Sequence, residues 1–408
     1  MTLRPLIGVG VIAVAAAIVL AVALGSSRTP STSAADPSAT ADGRASVPPT
    51  SWPVPGHEVF GYVPYWEMDE GIAEQVAGIR LTTVALFSVT HTKDGSLDTG
   101  QTGYKRITGD IGRRLIREAH DRGVAVQLVY SSFGARKNER LFASQEAQVK
   151  AIDALVALAA KLDVDGINVD IEQLDADLVP AYGAFVGRLR TALHAERPDG
   201  QVSVATSAGP TGAAMALAAS TNGADRIFLM GYDYHYAGSD VGASAPLDRR
   251  DGAEQDLAWS LDLYAAVGVP VERTILGLPL YGMRWRVIGP WLGAMREGNG
   301  AIWVPADNPR FLAGPPVPPE LDPIEVVEFY AVPPPGGASP GPNGSGTEAG
   351  GHSGWQAIYV DSPQTLAPKL ALANERGLAG AGFWAIGYTR GLPGYTDLIE
   401  RFAAGRAP

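Results

Sequence analysis

From residue 57 onward the chain alternates short apolar runs with longer amphipathic stretches. The apolar runs, at 59–63, 83–88, 125–130, 166–171, 202–207, 226–232, 274–279 and 380–385, predict eight strands. Segments with helical spacing separate several of them, such as ITGDIGRRLIREAHDRG at 107–123 and LVPAYGAFVGRLRTALHAERP at 178–198. Gly or Pro near their ends supplies stop signals. Strand and helix alternating eight times predict an α/β fold, a (β/α)8 TIM barrel over residues 57–404. A doubly wound open sheet is the competing architecture, but no Gly-x-Gly-x-x-Gly turn follows the first strand.

One stretch breaks the alternation. Residues 286–355 read as an insertion between the seventh and eighth strands, running through PPVPPE, VVEFYAV and the Gly- and Pro-rich PPPGGASPGPNGSGTEAGGHSG. Two further strands are expected there, at 325–332 and 355–360, flanking a flexible loop. On a barrel, excursions from the C-terminal ends of strands build or cover the active site. The plainer reading of 333–354 is a surface loop.

The N-terminus follows a third pattern. Residues 6–25 form an uninterrupted apolar and small-residue run, long enough as a helix to span roughly 30 Å of hydrocarbon. Arg4 and the amino terminus precede it, which predicts a cytoplasmic N-terminus and export of everything after residue 25. The run serves either as a retained transmembrane anchor or as a signal peptide cleaved near Ala34, although it exceeds the roughly 7 to 15 apolar residues usual in signal peptides. Residues 26–56, rich in Ser, Thr, Pro, Ala and Asp, predict a disordered linker. An extracytoplasmic protein, membrane-anchored or secreted, is therefore expected close to cell-wall polymers.

Composition narrows the partners. A formal charge of −11 and a pI near 5.1 over 408 residues argue against a nucleic-acid partner and favour a neutral or basic polymer. With no cysteine there is no disulfide, thiolate nucleophile or Cys-based zinc site. No His pair at i, i+4 spacing suggests a metal, and no motif implies a cofactor. A monomer is expected.

The candidate chemistry lies in DGINVDIEQL, residues 165–174. Ile167, Val169 and Ile171 alternate with Asn168, Asp170 and Glu172, so a strand here has one greasy face and one acidic face. Such a face either looks onto water or lines a cleft where charge is needed. On the fourth strand of a barrel these three side chains step up the interior, with Glu172 at the mouth, Asp170 one layer below and Asn168 lower still. That order suits a general acid at the rim over a carboxylate that orients substrate and tunes the acid.

Asp165-Gly166-Ile167-Asn168-Val169-Asp170-Ile171-Glu172 resembles the fourth-strand signature D-G-x-D-x-D-x-E of the family 18 glycoside hydrolases, the chitinase-like barrels. Three more segments resemble the family's motifs in chain order: Met230-Gly231-Tyr232-Asp233, Gly277-Leu278-Pro279-Leu280-Tyr281-Gly282 and Gly382-Phe383-Trp384. The resemblance implies hydrolysis of β-linked N-acetylglucosamine polymers by a substrate-assisted retaining mechanism. By the same resemblance Glu172 is the acid, Asp170 holds the substrate acetamido N–H, and Tyr232 donates to the acetamido carbonyl. Asp233 fixes a sugar and Asp170, Trp384 forms the floor under a sugar ring, and Asn168 is expected among the substrate-binding residues. Tyr65, Trp66, Tyr281 and Trp285 are further candidates for an aromatic lining, and His235 is a weaker candidate for ligand contact.

Two positions depart from the family pattern. Asn168 stands where an aspartate is usual, and Met283 stands where arginine is frequent. An amide exchanges no proton with Asp170, so Asp170 is expected to remain an anion. Asn168 and the run Tyr232-Asp233-Tyr234-His235 resemble the branch containing spore-cortex and peptidoglycan hydrolases, which favours peptidoglycan over crystalline chitin as partner. A lectin-like binder on the same barrel is the competing class; the presence of Glu172, Asp170 and Tyr232 favours the enzyme.

Overall fold

The computed structural model describes residues 57–334 and 354–405, which fall within one compact unit, Thr50–Pro408. The expected transmembrane or signal run at 6–25, the linker at 26–56 and most of the Gly- and Pro-rich loop lie outside the described residues. Among the described residues no helix is long and apolar enough to cross a membrane.

Eight parallel strands close into a barrel. They are β1 (Glu58–Pro64), β2 (Thr83–Val89), β3 (Ala125–Phe133), β4 (Gly166–Glu172), β5 (Gln201–Ser207), β6 (Arg226–Met230), β7 (Thr274–Pro279) and, after an excursion, the last strand, Gly380–Trp384, which pairs with both β1 and β7. All eight predicted runs are strands, with ends shifted by at most three residues and the seventh matched at both ends. Helices form the outer layer. The expected helix at 178–198 is Val179–Glu196, whereas the one at 107–123 is confined to Asp110–His120 because Ile107 closes a preceding helix, Thr102–Ile107.

Alternation along each strand divides the apolar residues between two cores. Outward side chains such as Ile167, Val169 and Ile171 join the large core under the helices. Inward ones, including Phe60 and Tyr62 of β1, Phe87 of β2, Val129 of β3 and Phe228 of β6, fill the barrel interior. Phe228 explains two motif glycines: a Cβ on Gly277 or Gly382 would come within 2.3 or 2.4 Å of its ring.

The excursion is a second sheet. Strands β8 (Gly282–Val287), β9 (Ala301–Trp303), β10 (Glu320–Asp322), β11 (Val327–Val332) and β12 (Trp355–Val360) form an antiparallel sheet ordered β10-β11-β12-β8-β9, and the last barrel strand is then β13. It runs from Gly282 to Val360, wider than the expected 286–355, since β8 leaves the barrel only two residues after β7. One face, with Met283, Trp285, Phe329 and Tyr359, packs into the main core. The other gathers Trp303, Tyr330, Ile358 and Val360 into a small core of its own.

Candidate active site

Strand β4 delivers the acidic residues as an inward column. Asn168 is fully buried, Asp170 is 4% exposed and Glu172, the last residue of the strand, opens partly to solvent at the mouth. Asp170 lies opposite Ser131 of β3 and Ala205 of β5, and Glu172 lies opposite Phe133. Asp170 Oδ1 is buried without a hydrogen-bond partner. Burial pushes the Glu172 carboxyl up to about 7, and the charge of Asp233 adds to the shift. Burial and then the neighbouring Glu172 raise Asp170 well above the ordinary carboxylate range.

The two carboxyls interact, and both shifts favour the protonated form over the charged one. The direction runs against the expectation that Asp170 is a permanent anion: with no donor on Oδ1, burial and the neighbouring Glu172 both disfavour its charge in the free protein.

Asn168 needs a second correction. Expected to bind substrate, it is instead enclosed, with Tyr62 donating its hydroxyl to Oδ1 at 3.0 Å and Nδ2 donating to Ser203 Oγ at 2.7 Å. Ser203 Oγ donates onward to Gln127 Oε1, and Gln127 Nε2 to Gln201 Oε1 at 3.3 Å. The amide thus heads a buried polar chain beneath Asp170 and supports the site from below.

The loop after β6 supplies the opposite wall. Burial holds the Tyr232 hydroxyl well above its usual range, so it remains a phenol able to donate. Asp233 has a left-handed backbone (φ 61°) and is fixed by three contacts. Its N–H donates to Ser244 Oγ at 3.0 Å, Ser244 Oγ also approaches Oδ1 at 3.4 Å, and the Tyr281 hydroxyl donates to the same Oδ1. Asp233 reaches solvent in the open cleft, yet enough protein surrounds it that desolvation raises its carboxyl, opposed by the Tyr281 and Ser244 hydrogen bonds. Tyr281 therefore acts as a brace for Asp233, buried at 3% exposure, rather than as an open aromatic platform.

The second sheet reaches this loop through Glu325. Its carboxylate accepts from Ala243 N–H at 2.6 Å and lies 3.4 Å from His235 Nε2, both side chains being buried. His235, whose Nδ1 meets the Asp240 carbonyl at 2.9 Å, is a structural residue of the loop and faces no cleft.

Aromatic rings floor the mouth. Trp384 at the end of β13 packs on Phe87 (centroids 4.7 Å) and Tyr62 (5.5 Å), capping the interior core while staying partly open. Trp66 stands edge-on to Trp384 at 6.1 Å and donates its indole N–H to the Tyr388 hydroxyl at 3.1 Å. Tyr65 is half-buried against the main core with its ring edge-on to Trp66, so it supports the lining more than it forms it. Trp285 does not line the cleft: β8 carries it away from the mouth into the core, onto Tyr359. Sequence reasoning missed Tyr62, Phe87 and Phe133, the last stacked on Phe87 at 6.2 Å and opposite Glu172. The signal was present in the inward parity of 60, 62 on β1 and 85, 87 on β2. Among the described residues no group of three or more metal-ligating side chains comes together.

A parallel eight-stranded barrel with a carboxylate pair at the C-terminal mouth of its fourth strand defines a class, the glycosidase-like (β/α)8 barrels. Residues 58–388 match the model for glycosyl hydrolases family 18, and the chain belongs to that family. It is 23% identical over 233 residues to probable chitinase 2 of Drosophila melanogaster, covering 55% of this chain and 47% of that protein. The chain spans about half the length of the curated relatives it matches. Among solved structures it is similar to the spore cortex-lytic enzyme SleL of Bacillus cereus (TM-score 0.66, 18% identity, 85% of this chain and 74% of that one). It is also similar to a family 18 chitinase of Cycas revoluta in complex with (GlcNAc)3 (TM-score 0.69, 17% identity, 85% and 99%). At these identities the structural likeness speaks to the fold.

Proposed function

We propose that this chain is an extracytoplasmic glycosidase that cleaves β-1,4 bonds at N-acetylglucosamine in peptidoglycan or chitin-type glycans. The observation that carries the reading is Glu172, a carboxyl raised to about 7 at the open end of β4, directly above a buried carboxyl with an unpartnered oxygen. A group with that pKa is substantially protonated at neutral pH, as a general acid must be.

In the proposed reaction Glu172 transfers its proton to the glycosidic oxygen as the C1–O bond breaks. The substrate's own acetamido oxygen attacks C1, giving an oxazolinium ion, so no enzyme nucleophile is needed. Asp170 Oδ1, which lacks a protein donor, accepts from the acetamido N–H and stabilises the positive charge that develops there. Tyr232 donates to the acetamido carbonyl and holds it in line. Water then adds to C1, its proton returning to Glu172, and the acetamido group is restored. Trp384 supports the sugar's C–H face. The SleL likeness and Asn168 favour glycan strands of peptidoglycan, while the chitinase relatives favour chitin oligomers. The apolar run at 6–25 supports placement outside the cytoplasm, anchored if the run is retained and secreted if it is cleaved.

The test is release of reducing ends from chito-oligosaccharides and from N-acetylated peptidoglycan, beside Glu172→Gln. Loss of the acid is expected to lower the rate by about two to four orders of magnitude. Glycan binding without turnover in the unaltered protein would instead establish the lectin-like alternative.

A further inference from the structure

We infer that Asn138 is a positioning residue for Glu172, setting the direction of the acid by holding its backbone carbonyl. This rests on the hydrolase reading above. Asn138 lies in the helix Ala135–Ala143, immediately after β3, and is fully buried. Asparagine in a helix interior has poor propensity, and its amide is costly to bury without partners, so the position asks for a reason. Both ends of the amide are engaged: Nδ2 donates to the Glu172 carbonyl oxygen at 2.6 Å, and Oδ1 accepts from Ser132 Oγ at 2.6 Å.

The need for this contact follows from where the sheet ends. On the β5 side the β4 ladder stops at the Asp170–Ala205 pair, leaving Glu172 beyond it. On the β3 side Glu172 lies opposite Phe133, but its carbonyl receives only a long backbone bond, 3.4 Å from Gly134 N–H. The next residue, Gln173, turns to φ 57°, so the chain leaves the strand sharply at the acid itself. Asn138 supplies the short hydrogen bond that the ladder no longer gives. Ser132, six positions earlier near the end of β3 and also fully buried, fixes which way the amide faces. The peptide plane on the C-terminal side of Glu172 is thereby locked, and with it the Cα–Cβ direction that aims the carboxyl at the glycosidic oxygen. A general acid displaced by about 1 Å loses on the order of 100-fold in rate.

The test uses the full chain, N-acetylchitotetraose as substrate and the variants Asn138→Ala and Asn138→Asp. Asn138→Ala is expected to lower kcat by about 10- to 100-fold with KM within about threefold, because the acid and not the binding surface is misplaced. In Asn138→Asp the carboxylate cannot donate to the Glu172 carbonyl, whereas its protonated form can. The kcat of this variant relative to the unaltered protein should therefore climb at least fivefold from pH 8 to pH 5, a recovery that loss of packing alone does not produce. A kcat within twofold in Asn138→Ala, or a loss carried entirely by KM, overturns the inference.

Turnover of the unaltered protein above the Glu172→Gln background is read first. If there is none, the hydrolase reading falls, and the positioning claim is decided by the carboxyl 13C titration of Glu172, assigned by its absence in Glu172→Gln. Asn138→Ala should then shift that titration downward by at least half a pH unit as the loosened strand end admits water; an unmoved titration overturns it.

Discussion

Replacing Glu172 with glutamine removes a charge that the fold disfavours, and the structure indicates how much stability should return. The Glu172 carboxyl rises from 4.5 to about 7 on folding, mainly through burial and then through Asp233. A shift of that size corresponds to about 3 kcal/mol between the two protonation states. Because the folded pKa lies above the unfolded one, the native state binds the proton more tightly between these limits. The resulting stabilisation is fully present below about pH 4.5 and is lost as the pH rises through about 7. Glutamine has nearly the same shape and no charge at any pH, so Glu172→Gln should match the unaltered protein near pH 4.5 and exceed it by up to about 3 kcal/mol at pH 8. For a domain of this size that is roughly 4 °C in Tm. Differential scanning calorimetry of both proteins at half-unit steps from pH 4.5 to 8.5 measures it. A Tm difference that does not change with pH, or one in which the unaltered protein gains on the variant as pH rises, would refute the assignment of a buried, proton-holding acid at position 172.

The same titration should appear in catalysis as an alkaline fall of kcat/KM centred near pH 7, measured on chito-oligosaccharides; a rate flat to pH 9 would count against Glu172 as acid. Asn168→Asp places another buried carboxyl under Asp170 and ends donation to Ser203, so its Tm deficit should be larger at pH 8 than at pH 5. Trp384→Ala removes the floor above Phe87 and Tyr62; kcat/KM on oligosaccharides should fall about 30-fold, with Trp384→Phe recovering part of it. Lys369 and Asp361 form a fully buried ion pair at 2.5 Å, and Lys369→Met alone should cost about 3–5 kcal/mol in denaturant unfolding, most of it recovered by Asp361→Leu on the same chain.

The barrel was legible because each strand combines a short apolar run with helical neighbours, and Glu172 and Asp170 were legible because alternation places both on one face of β4. The insertion was harder. β8 reads GMRWRV, with Met283, Trp285 and Val287 buried and Arg284 and Arg286 exposed, a clear alternation that its place beside the Tyr281 motif obscured. That is why Trp285 seemed to belong to the cleft. β9 and β10 have three residues each, too few for any period. The remaining site residues depend on contacts across the barrel that no local pattern encodes. Tyr62 meets Asn168 from 106 positions away, and Asn138 meets the Glu172 carbonyl from 34 away. Strand register brings Phe133 beside the acid in the same manner.

The buried chain from Tyr62 through Asn168 and Ser203 to Gln127 also determines where protons can travel. Hydroxyl groups pass protons along a file, but a carboxamide has no titratable hydrogen to hand on, and two of these links are amides. The floor under Asp170 is thus an insulator. Protons therefore do not reach the carboxyl pair along this chain from below, whereas Glu172 opens to solvent at the mouth, the opening that a glycan would occupy on the proposed function. On the proposed function, a glycan across Trp384 would narrow that opening, so the acidity of the pair would be set chiefly by the medium before the substrate binds.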